Sequence, residues 1–409
     1  MGRNTLPLYL NGRMWLASKV IVLIIFIIIT AISCKCEAGS KYKIVILPFK
    51  DHSKMDLGEM VSDVLRSEVT QTGYFEAVDR DKIYEAVITV IPSDFIKIDN
   101  TARVGRRFTS NQIDLIAQLD IKRVQRFSRK LRADYAVKGS VSQLRGVVRI
   151  DAEITDVEAK EMLGFVTVEG DPDELLSKHI EELADKITLF CRNINAYNDS
   201  LAIMGKYNQG QYTYDVSEKK LKELLPITNE TLGIHAVLMV LYIFKADPGG
   251  DALLEDKVIE EGNKILHLLN QDFDEKYLEV FLTSGFDPFD EMAKIHSKRH
   301  NNKMAIETYQ KAISVYPINI AGHFKEMGLL YLQEGAEEKA IKAFEKSLGV
   351  NKGDYELHFA LASIFEERGF MDKAIKHLSE CLKYARNVAD MEAANERIQS
   401  INGGLLKSQ

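Results

Sequence analysis

The side chains best suited to chemistry are few and loosely grouped. His296 and His300, in the stretch HSKRH, stand four residues apart, the spacing that lets two imidazoles on one helix face share a metal. No third ligand lies near them in sequence, so packing of His296 into a core is the expectation and a metal site is not. Asp151, Glu153 and Asp156 bring carboxylates close together, as general acid–base chemistry requires. The alternation of their segment, however, puts Asp151 and Glu153 on a solvated strand face. Gly139 and Gly146 lie within or between strand-like segments rather than ahead of a helix, so they read as a bulge or turn and not as a phosphate-cradling loop. The P-loop, nucleophile-elbow, zincin and dinucleotide-binding motifs do not occur. The sequence therefore predicts no catalytic residue, no metal and no cofactor.

A second chemistry is electrostatic. Between positions 97 and 132, ten cations (Lys97, Arg103, Arg106, Arg107, Lys122, Arg123, Arg126, Arg129, Lys130 and Arg132) stand against Asp99, Asp114 and Asp120, within a chain of net charge −7. Lys122, Arg123, Arg126, Arg129 and Lys130 fall outside Val124, Phe127 and Leu131 on an amphipathic helical pattern. Such a face is either plain solvated surface, or a contact for anionic headgroups or an acidic partner, the repeats of the same chain included. The acidic balance of the whole argues against a general nucleic-acid binder.

The third candidate is Cys34. Residues 20–32 are apolar except for Thr30, and the preceding segment carries Arg3, Arg13 and Lys19 with no acid. That run falls short of the roughly 20 residues of a membrane span and fits the 7–15 or so of a secretory signal core. Met14, just before it, is an alternative start. Ala31-Ile32-Ser33-Cys34 resembles a bacterial lipobox, departing from it at Ala31, where Leu, Val or Ile is usual. The resemblance implies lipid on Cys34, and Lys35 after it points to the outer membrane with the protein facing the periplasm. Two other outcomes stay open: cleavage near Ser33 or Ala38 that leaves a soluble protein, and an uncleaved anchor. Without the first 33 residues the net charge falls from −7 to −10. The other cysteines, Cys36, Cys191 and Cys381, form no disulfide framework by spacing.

The elements that must carry these residues fall into two patterns. With 409 residues, 46% of them apolar, the chain has enough material for two or three cores. Residues 42–49 (YKIVILPF) form a continuous apolar run expected of a central strand. Leu57, Met60, Val61, Val64 and Leu65 mark a helix that ends near Gly73, and YFEAVDR a short strand. Tyr135, Val137, Gly139 and Val141 share one strand face. Val148, Ile150, Ala152 and Ile154 alternate with polar residues in the next strand, and EMLGFVTVEG supplies a third. Leu175, Leu176, Ile180, Leu183 and Ile187 mark a closing helix. The prediction is an α/β domain, a mixed sheet with helices, over residues 42–195.

The segments KIVILPF, GYFEAVDRDKI, LRADYAVKGSV and VRIDAEITDVEAKEML, in that order, resemble the curli-secretion lipoprotein (CsgG) family and the TolB amino-terminal domain. This resemblance implies a Gram-negative envelope location. It does not carry pore formation with it, because the candidate insertion at 88–131 is helical and basic where the curli pore needs long alternating hairpins. A homo-oligomer through this domain is conceivable on the same ground.

The remainder repeats with the 34-residue period of tetratricopeptide repeats (TPR). Ala305, Tyr309, Ala312 and Pro317 match one repeat, Gly328, Tyr331, Gly335, Ala340 and Phe344 the next, and Ala362, Phe365, Gly369, Ala374 and Leu378 a third. Small residues let helices cross closely while large ones fill between them. The resemblance implies an all-α TPR-type solenoid over 286–386, preceded by a helical region (196–285) that reads as degenerate repeats and closed by a capping helix and tail (387–409). It also places groove positions at Asp290, Lys294 and Lys298, at Lys325, Leu329 and Gln333, and at Phe359, Ser363 and Glu366. The set lacks the Lys/Asn pattern that clamps a carboxyl terminus, so an internal peptide anchored by Leu329 and Phe359 is the expected ligand.

The sequence thus reads as a signal peptide (1–33), a lipid-anchored linker (34–41) and a non-catalytic, protein-binding envelope scaffold. The alternatives are a component of an outer-membrane secretion or surface-assembly machine, and a regulatory subunit of an envelope enzyme.

Overall fold

The structure is a computed structural model that describes residues 41–53, 57–89, 110–174, 178–227, 232–246, 251–269, 286–315 and 319–407. The leader, Cys34, Cys36, Lys97, Arg103, Arg106, Arg107, Leu175, Leu176 and Pro317 lie outside the described residues. Two compact units divide the chain between Thr231 and Leu232.

The first unit starts with β1 (Tyr42–Ile46), the short β2 (Lys50–Asp51), α1 (Gly58–Gln71), β3 (Phe75–Ala77) and α2 (Arg80–Ile88). It continues with α3 (Ser110–Ala117), α4 (Ile121–Lys130), β4 (Tyr135–Leu144), β5 (Val147–Asp156), β6 (Glu161–Gly170), α5 (Ile180–Asn208) and α6 (Tyr214–Leu224). The strands are ordered β3-β1-β4-β5-β6, with β2 also paired to β4. β1 runs parallel to β3 and β4, whereas β4, β5 and β6 form an antiparallel meander.

The unbroken apolar run of β1 follows from this position. Ile44 and Ile46 pack toward α1 and α5, while Val45 and Leu47 pack toward α2, α3 and α4. β5 alternates because one of its faces is dry while the other, buried at Thr155, meets solvent along the rest of the strand. Val148, Ile150, Ala152 and Ile154 are buried in the α1/α5 core, and Arg149, Asp151 and Glu153 point the other way.

Gly146 (φ 83°) and Arg145 (φ 52°) form a two-residue hairpin loop with both residues left-handed, the backbone that matches strand twist. Gly139 is neither bulge nor turn, since it sits in unbroken register opposite Ala152. A Cβ there would collide with the Phe49 ring and the Asp151 carbonyl, so the missing side chain is what admits Phe49. Asp151 accepts from Thr167 Oγ1 (2.7 Å) and pairs with Arg149 (2.9 Å), and Glu153 pairs with Lys138 (3.2 Å). Asp156 accepts the backbone N–H groups of Glu158 and Ala159, both at 2.7 Å, and so builds a turn.

α5 runs through position 195, where the sequence reading ends the α/β domain. Ala196, Leu201 and Met204 are buried and prolong the stripe begun by Ile180, Leu183 and Ile187, with no Gly or Pro before Gly205 to stop the helix.

The second unit is helical: α7 (Leu232–Lys245), α8 (Ala252–Leu269), α9 (Pro288–Lys298), α10 (Asn302–Val315), α11 (Ile320–Gln333), α12 (Glu337–Val350), α13 (Tyr355–Glu367), α14 (Met371–Tyr384) and α15 (Val388–Lys407). α9/α10, α11/α12 and α13/α14 are the three helix pairs expected from the repeats. Ala305, Ala340, Phe344, Ala362, Ala374 and Leu378 are fully buried at their contacts. A Cβ on Gly328 would run into the Phe344 ring.

The first helix of each pair ends the same way, with a left-handed residue and a six-to-one hydrogen bond. Gly335 (φ 73°) and Gly369 (φ 77°) do this in the second and third pairs, and His300 (φ 56°) in the first. The closing bonds are Ala336 N to Tyr331 O, Phe370 N to Phe365 O, and Asn301 N to His296 O, each 2.8 Å. The shared helix face drawn for His296 and His300 is thereby corrected, because His300 lies past the helix end and is exposed. His296 is half-buried. No helix among the described residues is long and apolar enough to cross a membrane.

Candidate partner-binding groove

Two of the first helices of the repeats, α9 and α13, start where capping residues fix them. Asp287 accepts from Phe289 N (3.0 Å) and Asp290 N (3.2 Å) with Pro288 in the first turn, and Asp354 accepts from Leu357 N (3.1 Å). The same carboxylates then join neighbouring helices. Asp287 lies 2.7 Å from His323 Nε2 on α11, and Asp354 pairs with Lys325 Nζ (3.1 Å), which also reaches Glu356 (2.9 Å). Burial alone would raise the Asp287 carboxyl, but the His323 contact and the capped N–H groups hold it below the ordinary carboxylate range.

The nine groove positions are arranged unevenly. Asp290 accepts from the Tyr309 hydroxyl (2.6 Å) and pairs with Lys294 (2.7 Å), which also meets Glu291 (2.9 Å). Lys298 turns to Glu255 on α8 at 2.7 Å. In the third pair, Arg397 of α15 donates to Ser363 Oγ (2.8 Å), pairs with Glu366 (2.5 Å) and lies 4.8 Å above the centre of the Phe359 ring. Phe359 also stacks on Tyr355 and is half-buried. Leu329 and Gln333 remain exposed, Leu329 at 38% of its surface. The expected apolar pair is therefore divided: Leu329 is open and Phe359 is roofed by an arginine.

Glu326, one turn before Leu329 on α11, was not singled out from the sequence. It is half-buried and makes no hydrogen bond or ion pair among the described residues. Burial first, then the nearby Asp290, pushes its carboxyl above the ordinary range, against the weaker pull of Lys325 and Lys294. Its position three residues from Leu329, on one helix face, was the available signal.

On the sheet unit, Lys122, Arg123, Arg126, Arg129 and Lys130 are all exposed on α4, while Val124 and Phe127 are buried beneath it. No group of three His, Cys, Asp or Glu side chains suited to a metal occurs among the described residues. Cys191 and Cys381 are buried and unpaired, and burial raises both thiols, Cys381 to about 12.

Among known protein families, the tetratricopeptide repeat matches residues 326–354. No curated protein matches the chain. Solved structures with some likeness include MamA (residues 41 to end) from Desulfovibrio magneticus RS-1, at 16% identity over 48% of this chain and 96% of that one, TM-score 0.32. Another is YrrB, described as a TPR protein with an unusual peptide-binding site, at 12% identity over 50% of this chain and 92% of that one, TM-score 0.33. TolB from Acinetobacter baumannii matches at 14% identity over 37% of this chain and 27% of that one, TM-score 0.22. Superpositions this loose bear on neither activity nor partner. The helix pairs and the repeat match together make this chain an α/β domain, a mixed sheet with helices, followed by a helical array with tetratricopeptide repeats.

Proposed function

We propose that this protein is a non-catalytic scaffold of the bacterial cell envelope whose repeat array holds a peptide segment of another protein. The segment pairs an apolar side chain, received at Leu329, with a cation received at Glu326. The observation that carries this reading is the conjunction on one face of α11: an exposed Leu329 and, one turn away, a half-buried carboxylate with no counter-charge within 4 Å among the described residues. A carboxylate in that state gains most from a partner that brings its own cation and excludes water. The α/β unit is read as a relative of the curli-secretion and TolB modules on its four ordered segments, and Cys34 as the lipid anchor that places the scaffold at the outer membrane.

Short synthetic peptides that place Lys or Arg beside Leu or Phe test the groove, compared by fluorescence polarisation with the same peptides carrying Gln for the cation. The wild type should prefer the cationic set, Glu326→Gln should abolish that preference, and Leu329→Ser should weaken both sets, all at unchanged melting temperature. Equal binding of the two sets to wild type and Glu326→Gln would sink the reading. Incorporation of labelled fatty acid into the wild type but not into Cys34→Ala tests the anchor separately.

A further inference from the structure

α4 packs on the sheet face opposite α1 and α5, over β1 and β4. Val124 and Phe127 meet Val45, Leu47 and Ala136 there. The same face continues onto β5 and β6. Thr155 stands opposite both Ala136 and Met162, and Glu153 opposite both Lys138 and Phe165, so Met162 and Phe165 share the side on which α4 lies. Phe165 is 57% exposed and Met162 42%. Arg129 links the two regions, since its guanidinium donates to the Val157 carbonyl at 3.3 Å, where β5 gives way to the turn before β6.

The cations of α4 are not neutralised from within. Arg123 pairs with Asp120 at a loose 3.9 Å, Arg129 and Lys130 donate only to neutral oxygens, and Lys122 and Arg126 have no hydrogen bond or ion pair among the described residues. By contrast, the acids beside Phe165 are spent: Glu153 on Lys138, and Asp151 and Glu169 on Arg149. One face of this acidic chain thus carries a row of free positive charge bordered by an exposed aromatic side chain.

We propose that this face docks on a bilayer containing anionic phospholipid, with Lys122, Arg123 and Arg126 on the headgroups and Phe165 at the acyl boundary. The chemistry fits that occupant: dispersed cations on a short helix suit a laterally mobile anionic surface, and an aromatic ring beside them suits the interface. The site is on the other unit from the groove and does not depend on it.

The test is co-sedimentation of the full chain with vesicles of phosphatidylcholine alone and with phosphatidylglycerol added, reading the ratio of binding to the two. That ratio removes any contribution from the apolar leader or from lipid on Cys34 that does not depend on anionic charge. The wild type should favour the anionic vesicles, and high salt should erase the preference. Lys122→Gln, Arg123→Gln and Arg126→Gln together should lower the ratio by about 100-fold, at roughly 5-fold per cation. Phe165→Ser, which leaves the charges alone, should weaken anionic binding several-fold and serves if the triple variant fails to fold. A wild-type ratio near unity, or a folded triple variant with an unchanged ratio, overturns the proposal. Capture by polyaspartate beads without vesicle binding also overturns it, and reassigns the face to an acidic protein.

Discussion

Acidification should weaken the repeat array through His377, and the size of the effect follows from its surroundings. His377 on α14 faces His358 on α13, Nδ1 to Nδ1 at 3.0 Å, and His358 Nε2 lies 3.1 Å from the Lys352 carbonyl. A carbonyl only accepts, so neutral His358 carries its proton on Nε2 and receives the His377 Nδ1–H on Nδ1. A further proton on His377 must go to Nε2 while the ring lies stacked on Phe365. Burial opposes it most, followed by His358 and Lys376, with Glu380 in weak support, and the pKa falls from 6.5 to about 4. The folded ring is therefore neutral where the unfolded one is charged. Stability is fully present above about 6.5, falls as pH drops toward about 4, and levels off below that. At about 1.4 kcal/mol per pH unit the full gap is about 3 kcal/mol, and because the ring is only half-buried, screening reduces this to about 1–2 kcal/mol. Urea unfolding followed by circular dichroism across that range should show the loss in the wild type. His377→Asn, which keeps an N–H toward His358 but cannot titrate, should lose less by about that amount. Equal acid losses in the two proteins would refute the reasoning.

Three backbone positions give further tests. Gly328→Ala should destabilise by about 1–3 kcal/mol, because its Cβ meets the buried Phe344 ring, whereas Gly349→Ala on α12, with open space around it, should be neutral or slightly stabilising; a melting temperature for Gly328→Ala at or above that of Gly349→Ala would contradict this. His300→Gly should stabilise the first repeat by up to about 1 kcal/mol, since it puts at φ 56° the residue that the other repeats already use; a lower melting temperature would count against it.

The parts legible in the sequence are those whose cause is periodic. Val148, Ile150, Ala152 and Ile154 reveal β5 because one face of it is dry, and Ala340 and Ala374 reveal the repeats because helices cross there. The same period places His300 at the glycine position of Gly335, yet a metal spacing was the more conspicuous pattern. β2 was missed because Lys50 and Asp51 carry no apolar signal and join the sheet only through backbone bonds to β4. The groove was legible as positions but not as a state. Whether Lys325 is open depends on Asp354 and Glu356, 29 and 31 residues away, and whether Phe359 is open depends on Arg397. Such pairings belong to tertiary packing and leave no local trace.

The central place of β1 has a consequence for the nascent chain. This apolar strand emerges early, but its neighbour β4 begins at Tyr135, and the Lys43 N–H finds its Asp134 carboxylate (2.7 Å) across 91 residues. At roughly 5–20 residues per second, β1 must wait about 5–20 seconds before that partner is made. The β4-β5-β6 meander, joined by short turns, can form as soon as it appears, and β1 then adds to its edge against a loop-closure cost that slows long-range parallel pairing. During the wait, α1 and the short β3 are the available cover for Ile44 and Ile46. A chain stalled before residue 135 would therefore expose a sticky strand, and substitutions in α1 that leave the finished protein stable would still lower its yield.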